Sequence, residues 1–135
     1  MASFDQILKK IRGNTCGSRL DLGYTEIGVE GARELATALQ TNMSLTHLNL
    51  EGNEIGDEGA RALATALQTN TTLKNLNLND TKIGVEGARA LATALQTNMS
   101  LTHLDLEGNE IGEIGDEGTR ALATALQTNT TLKKP

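Results

Sequence analysis

Residues 45–72 read LTHLNLEGNEIGDEGARALATALQTNTT, and two different periods of apolar residues follow one another within this stretch. Leu48 and Leu50 alternate with polar residues, which predicts a short strand that points both leucines to one face. After the pair Ile55 and Gly56, alanines and leucines recur at spacings of three and four, which predicts one apolar face of a helix. The stretch is therefore interpreted as a strand–turn–helix unit.

The same unit recurs along the chain. The string LATALQTN begins at residues 35, 63, 91 and 122, so the first three copies are evenly spaced and the fourth is displaced by a further three positions. The predicted units, numbered one to four, are 17–44, 45–72, 73–100 and 101–131, and residues 132–135 hold the truncated start of a fifth. A single unit cannot cover its own apolar face, so the units must stack. Stacking pairs the strands in parallel and buries a continuous core of Leu, Ala and Ile.

A second period lies beneath the first. Units one and three share IGVEGAR, whereas units two and four share LEGNEIG, so the duplicated element is a pair of successive units. Unit four also repeats the triplet EIG within residues 110–115. Either Ile111 or Ile114 can therefore fill the core position of that unit.

The pattern of residues 45–72 resembles the ribonuclease-inhibitor-like subfamily of leucine-rich repeats. The run NEIGDEGARALATAL is also similar to repeats in the sensing domains of NOD-like receptors. The resemblance extends from residue 17 to the C-terminus, and it implies an α/β fold. That fold is a right-handed β/α solenoid with a parallel sheet on the concave face and helices on the convex face. The family serves mainly as a scaffold for binding proteins, so the resemblance implies a protein-interaction module.

The N-terminal segment 1–16 does not follow the repeat. Ser3 and Gln6 have the spacing of a capping box, and Gly13 ends the segment. Four apolar residues at helical spacing form one stripe: Phe4, Ile7, Leu8 and Ile11. A helix on a membrane surface would also show such a stripe, but this one is small and has few basic neighbours. We therefore predict a capping helix over residues 1–16 that covers unit one.

An asparagine follows each predicted helix and begins an Asn-x-Ser/Thr sequon. These asparagines are Asn42, Asn70, Asn98 and Asn129, and a fifth sequon begins at Asn79. Glycosylation would require secretion, yet MASFDQILKK does not have the pattern of a signal peptide. The single cysteine, Cys16, cannot form an internal disulfide, which also favours a cytoplasmic protein. A left-handed C-terminal helix cap is thus the preferred interpretation of the four repeated asparagines.

Composition argues against several classes of partner. The 135-residue chain has a formal net charge of -5, and aromatic residues make up 1% of it. An acidic surface repels phosphate backbones, and so few aromatic residues cannot provide platforms for base stacking. The apolar stretches are also shorter than the roughly 20 residues needed to cross a bilayer. We expect neither nucleic acid nor membrane as a partner.

The residue types that carry catalysis are not brought together by the repeat. His47 and His103 occupy equivalent positions in units two and four, two strands apart, so about 10 Å should separate them. One metal ion cannot bridge that distance, and nothing in the sequence places Cys16 beside His47 as a nucleophile pair. The Gly-rich turns lack a phosphate-loop lysine and the alternating oxygen ligands of a calcium loop. We therefore expect no enzyme activity, no metal and no cofactor.

The remaining candidate is the concave face, which in the leucine-rich family commonly receives partners. Strand alternation places the residues between and beside the inward leucines on this face, and the turn residues at its rim. The candidate partner-binding residues are Arg19, Asp21, Tyr24, His47, Asn49, Glu51, Asn75, Asn77, Asn79, Asp80, His103, Asp105 and Glu107. Interface hot spots favour Trp, Tyr and Arg, which are scarce here, so weak or purely structural use of the face stays open.

The C-terminal end suggests a second hypothesis. We expect the core edge of the last unit to be uncovered and its strand to be unpaired, because no capping segment follows. The leucines of this edge are Leu104, Leu106, Leu122, Leu126 and Leu132. The protein would then be a self-assembling structural unit, natural or engineered, that forms a homodimer through this end. Two partners thus stay open: an unknown protein, or a second copy of the chain.

Overall fold

The computed structural model describes residues 3–110 and 117–129, in which helices alternate with short strands. The elements are α1 (Phe4–Arg12), β1 (Arg19–Asp21), α2 (Val29–Leu39), β2 (His47–Asn49), α3 (Gly56–Thr69), β3 (Asn75–Asn77), α4 (Val85–Leu95), β4 (His103–Asp105) and α5 (Glu117–Thr128). The strands form a parallel sheet in the order β1-β2-β3-β4. The prediction of an α/β solenoid built from strand–helix units is confirmed.

Residues at the same repeat position pair across the sheet. Leu48 of β2 lies opposite Leu20 on one side and Leu76 on the other, and Leu76 lies opposite Leu104. Leu48, Leu76 and Leu104 are buried, whereas Leu20 of β1 is half-buried. Burying one leucine contributes roughly 2 kcal/mol, so this row forms a main part of the core.

Successive helices approach one another at a glycine. A Cβ atom on Gly59 would lie 3.0 Å from the Cβ of Ala32 in the preceding helix, and one on Gly87 would lie 2.9 Å from the Cβ of Ala60. In unit one the equivalent glycine is Gly31, and a Cβ atom on it would lie 3.5 Å from the Cε2 atom of the Phe4 ring. The helix α1 therefore occupies the place of a preceding repeat helix.

The N-terminal helix begins as the sequence predicts. The Ser3 hydroxyl accepts from the Gln6 backbone N–H at 3.2 Å, and the Gln6 side chain accepts from the Ser3 N–H at 3.0 Å. Leu8 and Ile11 are buried against the first unit, and Ile7 packs beside them. The apolar stripe therefore faces the repeats.

The prediction of left-handed caps at the repeated asparagines is wrong. Asn70, which ends α3, has extended backbone angles (φ -76, ψ 128) and a side chain that is 4% exposed. Its Nδ2 group donates to the carbonyl of Leu39 at 2.8 Å and to that of Asn42 at 3.2 Å. Its Oδ1 atom accepts from the backbone N–H groups of Thr72 and Leu73. The amide thus joins two units, and its burial leaves no accessible acceptor for a glycan.

The same contact recurs along the stack. The members of this asparagine ladder are Asn42, Asn70, Asn98 and Asn129, all buried. A left-handed asparagine does follow one helix: Asn14, after α1, has a φ of 57. The asparagines adopt the ladder and not the left-handed cap because each helix end lies beside unpaired carbonyls of the preceding unit. The asparagine amide donates hydrogen bonds to these carbonyls.

The three additional residues of unit four leave the ladder intact. Asn129 donates to the carbonyl of Leu95 at 2.7 Å across 34 positions, whereas Asn98 makes the equivalent bond to Leu67 across 31 positions. The difference of three residues is therefore absorbed upstream of Asn129. Ile111 and Ile114, either of which can fill the core position, lie outside the described residues.

The prediction that the core edge of unit four is uncovered is partly wrong. Leu104 is only 1% exposed, because it points into the core cluster that also contains Ala125 of α5. Leu106 and Leu122 are half-buried. The side chain of Leu126 and the whole of Leu132 lie outside the described part of the structure. Leu104 is therefore not available to a second copy at the surface.

Candidate functional site

The predicted rows of polar residues lie on the concave face in register. One row follows the first residue of each strand, and we call it the concave row: Arg19, His47, Asn75 and His103. The next row follows the last residue of each strand: Asp21, Asn49, Asn77 and Asp105. Residues of both rows line an open groove of about 400 Å³. The register of the repeats thus brings these side chains to one surface.

Most of the second row is used by the fold. The side-chain oxygen accepts from the backbone N–H two residues later, and this contact recurs in three units: Asp21 with Gly23, Asn49 with Glu51, and Asn77 with Asn79, each at 2.9 Å. Such bonds hold the chain as it turns out of the strand. Asp105 differs, since the Glu107 N–H donates to Asn79 instead, at 2.8 Å. Asn49 and Asn77 therefore have a structural task that spacing alone does not reveal.

Three members of the concave row, Arg19, His47 and Asn75, line the groove. The Thr46 hydroxyl lies 3.0 Å from the carbonyl of Ser18 and 2.9 Å from His47 Nδ1, so it is within hydrogen-bond distance of both. His103 has the same geometry with its neighbouring threonine. The two rings are separated by the strand of Asn75, which places them about 10 Å apart.

The rim of the concave face is built from left-handed residues. Tyr24 (φ 53) lies over Gly52 of the next unit, and Asp80 (φ 54) lies over Gly108 in the same way. The Tyr24 hydroxyl donates to Glu51 at 3.2 Å, while the side chain stays 68% exposed overall. This hydrogen bond, together with the negative charges of Glu51 and Asp80, raises the pKa of Tyr24 above its usual value.

Replacing Glu51 by glutamine is expected to lower the pKa of Tyr24. Tyrosinate cannot donate to the carboxylate and is repelled by it, so the native pair favours the protonated phenol. Tyr24 is the single tyrosine and the chain has no tryptophan, so its near-ultraviolet absorbance reports this group directly during a pH titration. Lys82→Gln, which removes a charge elsewhere at the turns, should change the titration midpoint much less. An unchanged midpoint in Glu51→Gln would contradict the described contact.

The described residues show no assembled chemical centre. Within 3–110 and 117–129, no three His, Cys, Asp or Glu side chains are grouped so that they could hold a metal ion. Cys16 contacts Ser44 and Asn42, 3.7 Å from each, at the end of α2. Nor does this part of the chain hold a helix long and apolar enough to cross a membrane.

Comparison with protein families identifies the class. A family profile described as "Leucine Rich repeat" matches residues 18–36, 41–64, 69–92 and 97–123, which is more than half of the chain. The chain therefore belongs to the leucine-rich repeat family, as the resemblance implied. A search of curated proteins found no match.

Solved structures with the same fold include two domains that this chain matches over most of its length. One is described as "Leiomodin-1 Actin-Binding Site 2 (ABS2)", with 27% identity, a TM-score of 0.86, and coverage of 98% of this chain and 77% of that chain. The other is the tropomodulin C-terminal domain of Caenorhabditis elegans, with 17% identity, a TM-score of 0.85, and coverage of 97% and 80%. The second likeness shows the fold alone.

Proposed function

We propose that this chain is a non-catalytic protein-interaction module that binds a protein partner through the concave face of its sheet. The observation that carries the proposal is the concave row, of which Arg19, His47 and Asn75 line an open groove without being used by the turns. Membership of the leucine-rich repeat family supports it, since this fold presents an extended concave surface.

The chemistry of the groove defines what a partner must offer. Arg19 suits a carboxylate, the His47 ring offers a nitrogen for a hydrogen bond, and Asp105 suits a lysine or arginine. Within the described residues, the side chains of Arg19 and Asp105 take part in no hydrogen bond of the fold. Both charges are therefore free to pair with a partner.

Actin is the first partner that we propose to test. The leiomodin-1 domain is described as an actin-binding site, and it is 27% identical to this chain over 98% of the chain's length. This likeness supports the choice of actin as the partner. The concave groove supports a different part of the proposal, namely which surface of the chain binds.

Charge reversal on the concave face is expected to weaken actin binding about tenfold for each of Arg19→Glu and Asp105→Lys, because each change turns an attraction into a repulsion. The measurement is the fluorescence anisotropy of labelled monomeric actin titrated with the chain. The matched control is Glu58→Lys, which makes the same charge change as Asp105→Lys but on an exposed convex position. The control should bind as the parent does.

Two outcomes would contradict parts of the proposal. Equal losses in Asp105→Lys and Glu58→Lys would show that net charge, and not the concave face, controls binding. No binding by the parent chain would reject actin as the partner. We do not propose self-assembly through the C-terminal end, because Leu104, one of the five leucines on which it depended, is buried.

A further inference from the structure

A second groove lies at the opposite end of the solenoid from unit four. It is bounded by α1, the turn after β1 and the start of α2, and its volume is about 550 Å³. Its apolar lining is formed by Phe4, Ile7, Leu22 and Ile27. The helix α1 fills the helix position of a preceding repeat, but among the described residues no strand pairs with the outer edge of β1. We call this site the N-terminal groove.

The stack itself shows what covers such a surface elsewhere. Where unit two packs on unit three, the Asp57 carboxylate accepts from the backbone N–H of Gly84 at 2.7 Å and of Gly87 at 2.9 Å. Gly84 is the N-cap residue of α4 and has no side chain to cap the helix. A carboxylate of the neighbouring unit therefore satisfies the start of α4, where the helix dipole also favours negative charge.

The equivalent amides of unit one lie in the N-terminal groove. Gly28 and Gly31 both line it, and Gly28 is the N-cap residue of α2 without a side-chain hydrogen bond. The backbone of Gly28 (φ -101, ψ -164) matches that of Gly84 (φ -105, ψ -157). The site that holds Asp57 in unit three is thus already formed in unit one.

The outer backbone edge of unit one also matches the edge of unit three that receives unit two. Unit two donates three N–H groups to unit three: Leu50 to Asn77 at 2.9 Å, Gly52 to Asn79 at 3.1 Å, and Gly56 to Thr81 at 3.0 Å. The equivalent acceptors of unit one are the carbonyls of Asp21, Gly23 and Thr25, along the outer edge of β1. An extended segment can therefore pair there as unit two pairs with unit three.

One charge distinguishes the N-terminal groove of unit one from the surface of unit three that unit two covers. In unit three, Lys82 forms an ion pair with Glu54 of unit two, with 3.6 Å between Nζ and Oε1. Unit one has Glu26 at the position of Lys82, and the two residues share a left-handed backbone (φ 63 and 61). Asp21 and Glu34 also line the groove. An occupant therefore needs a cation where unit two has Glu54.

We propose that the N-terminal groove binds an extended segment of another protein. The segment adds a parallel strand to β1, inserts alternate apolar side chains, places a carboxylate on the amides of Gly28 and Gly31, and sets a lysine or arginine against Glu26. The proposal does not depend on the function proposed for the concave row, although Asp21 lines both grooves.

The probe is a labelled synthetic peptide with the sequence of residues 45–57 and lysine in place of Glu54, LTHLNLEGNKIGD. We expect saturable binding by fluorescence anisotropy and shifts of the Gly28 and Gly31 amide signals by NMR. The unaltered peptide should bind several-fold more weakly, because Glu54 faces Glu26. A peptide that also carries Asp57→Asn should bind about tenfold more weakly, since a charge-assisted pair of hydrogen bonds is lost.

Variants of the protein test the same contacts from the other side. A Cβ atom at Gly28 would meet nothing within 4 Å, so Gly28→Asp can cap Gly31 itself and compete with the carboxylate of the peptide. It should weaken peptide binding about tenfold while its melting temperature stays equal to or above that of the parent. Gly28→Ala is the matched control and should bind as the parent does. Glu26→Lys should reverse the preference between the two peptides.

Three results would overturn the proposal. They are no binding of the lysine peptide at millimolar concentration, binding that is unaffected by Gly28→Asp, and amide shifts that map to His47, Asn75 and His103 of the concave row instead of the edge of β1. Asp105→Lys, which is expected to weaken actin binding, should leave peptide binding unchanged. Failure of the groove and failure of the concave face are therefore distinguished by the same set of proteins.

Discussion

Leu76→Ala is expected to lower the free energy of unfolding by about 4 kcal/mol. Leu76 is 0% exposed and lies in β3, between Leu48 and Leu104 of the neighbouring strands. Alanine would leave a cavity that four stacked units cannot easily close, since the adjoining leucines are fixed by the sheet. Urea unfolding followed by far-ultraviolet circular dichroism measures the change.

Leu20→Ala is the matched control, because Leu20 has the same repeat position in the edge strand β1 and is only half-buried. We expect a loss of about 1 to 2 kcal/mol there, since less apolar surface returns to water. Equal losses at the two positions would mean that the central units are no more tightly packed than the edge unit. That result would contradict a core that runs continuously through the stack.

Asn70→Ala is expected to destabilise the protein by about 3 kcal/mol. The buried amide donates to the carbonyls of Leu39 and Asn42 and accepts from the N–H groups of Thr72 and Leu73. Alanine removes all of these bonds and leaves buried backbone groups without partners at the junction of two units. The same denaturation measurement applies.

The control for this prediction is Asn75→Ala, at a half-buried position of the concave row. The Asn75 side chain takes part in no hydrogen bond of the described fold, so the change should stay within about 0.5 kcal/mol. A loss below about 1 kcal/mol for Asn70→Ala would instead indicate that water replaces the missing amide. It would then be wrong to regard the asparagine ladder as a main link between units.

The architecture was predictable because local patterns and the repeat agree. Alternation at Leu48 and Leu50 defines the strand, and the change to helical spacing after Ile55 defines the helix. Identical spacing then forces identical positions to pair, which is why the concave row was predicted residue by residue. The capping helix was predicted for the same reason, as its stripe has a single period.

The errors concern contacts that cross between units. An asparagine after a helix suits either a left-handed cap or a ladder, and the choice depends on carbonyls 28 and 31 residues earlier in the chain. Leu104 was expected at an open edge, yet the inward direction of its strand position buries it. The Gly-rich turns were weighed only as phosphate or calcium loops, and the role of Asp57 at Gly84 requires the relative placement of two helices.

The rim contacts restrict how such an array can change its length during evolution. Tyr24 and Asp80 each need a glycine in the following unit, because a Cβ atom at Gly52 would meet the tyrosine ring and one at Gly108 would meet the aspartate carboxylate. Unequal crossing-over that removed unit two alone would set Tyr24 against Asp80, where no glycine is present. Recombination products that retain the fold are therefore expected to keep a unit with this rim glycine directly after each of units one and three.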